Sequence, residues 1–94
     1  MLRLPAVAGT FYPDNPLALA KQIQDFVRSN QVSEKISCSA CLVPHAGYVY
    51  SGHVAAAVYQ RIALPNRIIL LGVRHFAHGE KAAIISEGAW RTPL

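Results

Sequence analysis

An α/β fold organised around a strand–helix–strand crossover is predicted by three features of this sequence. Apolar runs at Cys38–Val43 and Arg67–Val73 flank a helical pattern at His53–Leu64. Such βαβ crossovers are almost always right-handed and give parallel, neighbouring strands. The chain is also unusually apolar: 52% hydrophobic against 15% charged residues, with a mean hydropathy of +0.23. A free-standing small domain buries only roughly 60% of the surface its unfolded chain exposes and keeps a large polar skin. The excess of apolar residues therefore predicts surface that something else covers, and it excludes an intrinsically disordered chain.

The elements follow in order. Residues 1–13 are apolar but interrupted by Pro5, Gly9 and Pro13, which predicts an irregular, packed lead-in. Asn15 followed by Pro16 marks a helix start, a capping residue before a proline at the first helical position. Leu19, Ile23, Phe26 and Val27 then recur at helical spacing, with Lys21, Gln24, Asp25 and Arg28 opposite. This helix is expected to end near Asn30, before a polar linker from Gln31 to Ser37.

The run Cys38–Val43, stopped by Pro44 and Gly47, suits a buried strand. Ser51 is placed to cap a second helix on which Ala55, Val58, Tyr59 and Ile62 share a face, closed by Pro65 and Asn66. Arg67–Val73 is a near-continuous apolar run, as in strands covered on both faces. Ala82–Ser86 is a candidate third strand. Parallel sheets need both faces covered and usually several strands, more than these elements supply. No closing element follows Trp90. The 94 residues are thus expected to be an incomplete part of one larger domain.

Nine Lys and Arg against five Asp and Glu give a formal charge of +4 and a pI near 9.4. The basic residues are scattered, with no run and no interleaved aromatics, so they form no nucleic-acid footprint. No segment approaches the about 20 apolar residues of a membrane span. The N-terminus has no signal-peptide pattern, and two cysteines make no secreted disulfide framework. A cytoplasmic location is expected, with no nucleic-acid or membrane partner.

The chemistry-bearing residues gather where the topology would bring them together. His45 lies two residues past the first predicted βαβ strand, and His75 two residues past the second. Adjacent parallel strands are about 4.8 Å apart, so both histidines emerge at the carboxyl edge, where open α/β sheets place their ligands. The following helix start favours an anion there, and Gly47 and Gly52 allow a close backbone approach. Two converging imidazoles suit iron, copper or zinc, given at least a third ligand. The alternative is that each histidine only hydrogen-bonds loop backbone.

Tyr48, Tyr50 and Tyr12 are placed to contribute phenolic hydroxyls or loop packing. His53 and His78 are read as neutral or exposed. Cys38 and Cys41 fall three apart on a strand and so point to opposite faces, which argues against one shared ion and for buried, inert thiols. There is no G-x-S-x-G elbow and no phosphate-binding G-x-x-x-x-G-K loop.

Four stretches carry a family resemblance: Ala8-Gly9-Thr10-Phe11-Tyr12-Pro13, Pro44-His45-Ala46-Gly47-Tyr48-Val49-Tyr50-Ser51-Gly52, Leu70-Leu71-Gly72-Val73-Arg74-His75, and Trp90-Arg91-Thr92-Pro93-Leu94. In order and spacing they resemble the Memo family, named for a mediator of ErbB-driven cell motility and known in prokaryotes as the AmmeMemoRadiSam system protein B. The resemblance covers essentially the whole chain, and its second stretch is highly specific.

It implies a fold similar to class III extradiol dioxygenases, with residues 1–94 looking like the N-terminal third of one Memo-type domain. It implies a pocket for iron or copper in which His45 and His75 are ligands. The remaining ligand, typically a cysteine, matches neither Cys38 nor Cys41. Tyr12, Gly47, Tyr48, Ser51 and Arg74 are the residues expected around that pocket. Where many members have L-G-P-x-H-H, this chain has Leu71-Gly72-Val73-Arg74-His75-Phe76. Arg74 thus puts a positive charge beside the pocket, suited to a substrate carboxylate and opposed to a cationic metal.

Two functions follow as expectations. One is iron- or copper-dependent redox or dioxygenase-like chemistry. The other is a non-catalytic module that recognises a peptide or an anionic small molecule. The resemblance also implies a radical-SAM protein of the AmmeMemoRadiSam system as a partner. The residues alone, lacking much of a sheet, are expected to be marginal or prone to association through exposed strand edges.

Overall fold

The computed structural model describes residues 1–29, 32 and 34–94. Its elements are β1 (Leu2–Arg3), α1 (Pro16–Arg28), α2 (Tyr48–Arg61) and β2 (Ala89–Trp90). The fold is α/β, with β1 and β2 pairing in parallel, Leu2 opposite Ala89 and Arg3 opposite Trp90. Both helices therefore lie within the crossover between the two strands. The Arg3 guanidinium carbon stands 4.7 Å over the Trp90 ring, a cation–π contact that reinforces the short ladder.

Helix α1 starts as the sequence predicts. Asn15 is its N-cap, its side-chain oxygen accepting from the Ala18 N–H at 3.0 Å, with Pro16 at the first position. The helix ends at Arg28, with Ser29 as C-cap. The expected end at Asn30 and the linker positions Gln31 and Ser33 lie outside the described residues. On the outer face Lys21 and Asp25 form an exposed i,i+4 pair at 2.8 Å, whose hydrogen bond holds the Asp25 carboxyl below its ordinary range.

Helix α2 begins earlier than predicted, at Tyr48 with Gly47 as N-cap. The reason is a long-range partner: the Tyr48 N–H donates to the Phe11 carbonyl at 2.8 Å. Ser51 is therefore not the cap but a buried residue of the first turn. Its hydroxyl donates back to the carbonyls of Ala46 at 2.9 Å and Gly47 at 3.3 Å.

The small core lies between the helices. Leu19 of α1 and Ile62, just past α2, are 4% and 7% exposed. Gly52 sets how closely the helices approach. A methyl group at this position would lie 2.3 Å from Phe26 Cε2 of α1, well inside contact distance. Its use here is helix packing, rather than a backbone approach to ligand.

The predicted strands at Cys38–Val43, Arg67–Val73 and Ala82–Ser86 do not form. The βαβ unit is thus corrected to a wider crossover, closed by β1 within the lead-in and by β2 after the third predicted strand. A parallel strand needs a neighbour to receive its N–H and C=O groups and a covering layer on each face. Among the described residues nothing supplies either, and Leu42, Ile69 and Leu71 are 93%, 89% and 88% exposed. For the same reason Cys38 and Cys41 are exposed free thiols, not buried ones. Near the end of the linker, Ile36 bonds to the residues flanking Ile62, donating to Arg61 at 2.8 Å and accepting from Ala63 at 2.9 Å.

Candidate functional site

The site is assembled from the lead-in loop, the segment before α2, and the turn after residue 73. In the lead-in, Thr10 and Phe11 both donate to the Val7 carbonyl, at 3.1 and 2.9 Å, and Gly9 donates to Tyr12 at 2.8 Å. This turn delivers Phe11 to the start of α2, through the bond to Tyr48, and Tyr12 to the Tyr48 ring. The two tyrosine ring centres are 5.4 Å apart.

Behind these rings is a cavity of about 370 Å³, walled mainly by Phe11, Tyr12, Phe26, Val43, Tyr48 and Tyr59. His45 and Ser51 also line it. Burial, followed by the neighbouring Tyr12 and Tyr59 phenols, pushes the Tyr48 hydroxyl above the ordinary tyrosine range. Tyr48 therefore keeps its proton to a higher pH than an ordinary phenol.

At the cavity's edge stands His45, and its partner is His75. Their ring centres are 5.2 Å apart, with ring planes inclined at 44°. The pair meets although neither predicted strand forms. Of the other residues anticipated around the pocket, Tyr12, Tyr48 and Ser51 line the cavity, and Gly47 is the cap of α2. Arg74 does not line the cavity. Its guanidinium donates to the carbonyl of Ala77, and to those of His78 and Gly79 at 3.5 and 3.3 Å. His78 stacks on Phe76, with ring centres 5.5 Å apart. Tyr50 and His53 are exposed.

Phe11, Phe26 and Tyr59 are cavity residues that the sequence did not single out for the site. Phe26 and Tyr59 read only as apolar helix faces. The signal for Phe11 was its place beside Tyr12 in the lead-in, but no local pattern shows that this loop docks on α2. Among the described residues, no group of three or more His, Cys, Asp or Glu is placed to hold an ion. No helix among them is long and apolar enough to cross a membrane.

Fold and site together define an α/β unit with a histidine pair at the rim of an aromatic cavity. A family model for Memo-like proteins matches residues 3–94. A MEMO1 family protein of Aquifex aeolicus is 47% identical over 92 residues, covering 98% of this chain and 34% of its own length. One from Sulfolobus acidocaldarius is 39% identical over 109 residues, covering 100% of this chain and 38% of its own. Another, from Methanosarcina barkeri, is 40% identical over 93 residues, covering 99% and 34%. The chain belongs to the Memo-like family. It spans about a third of the length of the curated relatives it matches. No solved structure matches it.

Proposed function

We propose that His45 and His75 are two ligands of a pocket for iron or copper, opening onto the aromatic cavity of a Memo-type domain similar in fold to class III extradiol dioxygenases. The observation that carries this reading is the 5.2 Å separation of the two rings. Two imidazoles on one ion, with metal–nitrogen bonds of about 2.0–2.1 Å, hold their ring centres roughly 5 Å apart. Neutral imidazole also suits both metals. The histidine pair supplies two donors of the three or more such a pocket needs, so the reading requires another from outside the described residues.

A bound ion of this kind supplies Lewis-acid or redox chemistry. The residues of this chain act around it. His45 and His75 would hold the ion through ring-nitrogen lone pairs. Tyr48, kept protonated, offers an O–H donor to a bound molecule. Phe11, Tyr12, Phe26 and Tyr59 offer walls for an apolar or aromatic face. Cytoplasmic location and pairing with a radical-SAM protein belong to the same reading.

A second reading, a non-catalytic binding module, is favoured by the apolar walls. They suit the apolar side chain of a peptide better than a small anion.

Elemental analysis of the protein reconstituted with Fe(II) or Cu(II), beside its His45→Ala and His75→Ala variants, tests the proposal. Metal retained by the parent and lost from both variants is the expected result. Equal metal in all three, or none in the parent, overturns it in favour of the binding module.

A further inference from the structure

The segment following Val73 has neither helix nor strand to hold it. Among the described residues, no backbone–backbone hydrogen bond ties 74–79 to the rest of the chain. What closes this segment is one side chain. The Arg74 guanidinium lies against three successive carbonyls, those of Ala77, His78 and Gly79. Gly79, at φ +85° with open space where a side chain would start, makes the turn that brings the third carbonyl round. Arg74 thus meets its own loop while the ring centre of His75, the next residue, lies 5.2 Å from that of His45.

We propose that Arg74 is a positioning residue: it clamps the 74–79 loop as an internal cation and so holds His75 beside His45. The proposal rests on the reading of the two histidines as one site. All three carbonyls lie around one guanidinium nitrogen, Nη2, which shares its two N–H groups among them, and hydrogen bonds from a charged donor are the stronger kind. A cation is what three converging carbonyl dipoles require, and the loop offers it no carboxylate partner. Part of the positive charge beside the pocket is accordingly directed at the loop's own carbonyls. Partners that orient a metal-binding histidine are commonly worth 10–100-fold in metal affinity.

The test compares Arg74→Met, which keeps the length and removes charge and donors, with Arg74→Lys, which restores a cation with three donors. The first measurement is the nuclear Overhauser contact between the His45 and His75 ring protons in the metal-free protein. It is expected in the parent, lost in Arg74→Met and regained in Arg74→Lys. A contact that survives in Arg74→Met overturns the proposal, as does one lost equally in both variants. Arg74 is exposed, so the fold should tolerate both changes. Should Arg74→Met unfold, Arg74→Gln reads the same contact. The second measurement is Cu(II) affinity, with Kd expected to rise roughly tenfold or more in Arg74→Met and to recover in Arg74→Lys. If the parent binds no Cu(II), the metal reading fails, while the ring contact still decides the role of Arg74.

Discussion

Gly52 of α2 and Phe26 of α1 meet so closely that a single added methyl group would sit 2.3 Å from the phenyl ring. This contact fixes the separation of the two helices that form both the small core and one wall of the cavity. Gly52→Ala gains helix propensity, worth about 0.5–1 kcal/mol, but overpacking a close contact costs about 1–3 kcal/mol. The ring has to move into the cavity, so a net loss of stability is expected. Urea denaturation of Gly52→Ala alone and combined with Phe26→Leu measures it, and the second change should recover part of the loss. An unchanged midpoint for Gly52→Ala would mean that the helices are not in contact there.

Removing the cap of α1 should cost less. Asn15→Ala leaves the Ala18 N–H without its partner, and such losses are worth about 1 kcal/mol. Asn15→Asp should be nearly neutral, since its carboxylate accepts the same bond. Helical circular dichroism during unfolding distinguishes the two. Equal midpoints would show that this cap contributes nothing.

The phenol of Tyr48 sets an alkaline limit. Its ionisation is displaced upward from the ordinary value of 10.0, first by burial and then by Tyr12 and Tyr59. A raised native pKa means that above pH 10 the unfolded chain loses this proton while the folded chain keeps it. The stabilisation is therefore complete below pH 10 and declines as pH rises toward the native value. Phenolate absorbance should show one tyrosine titrating late, and Tyr48→Phe should remove that step and flatten the alkaline loss of stability. A late step that persists in Tyr48→Phe assigns it to another residue.

The exposed apolar run at 67–73 should make the chain self-associate. Ile69 and Leu71 are 89% and 88% exposed, and unpaired apolar segments of this kind are templates for association. Sedimentation is expected to show a weight-average mass that rises with concentration and falls in an Ile69→Lys/Leu71→Lys double variant. A concentration-independent monomer would mean that this surface is covered in solution.

How much of this was legible in the sequence depended on the range of the interactions. The start of α1 is local, an Asn15–Pro16 signal acting within one turn, and it was readable to the residue. The start of α2 differs from the expectation because Ser51 has the side chain of a cap, whereas the helix actually starts where the Phe11 carbonyl, from another part of the chain, meets Tyr48. The apolar runs at 38–43 and 67–73 do have strand-like composition. Pairing, however, is a property of neighbours, and among the described residues none pairs with them. The β1–β2 ladder, two residues per strand, is too short to leave a periodicity. The meeting of His45 and His75 was anticipated from a topology that did not form as drawn. The two rings nevertheless lie 5.2 Å apart.

The central claim is that these two imidazoles act on one ion, and electron paramagnetic resonance of the Cu(II)-loaded protein tests it most directly. Nitrogen superhyperfine structure counts the imidazoles bound to copper. The account predicts two nitrogens in the parent, and one in each of His45→Ala and His75→Ala, with weaker binding in both. A spectrum with the same nitrogen count in all three proteins would contradict it.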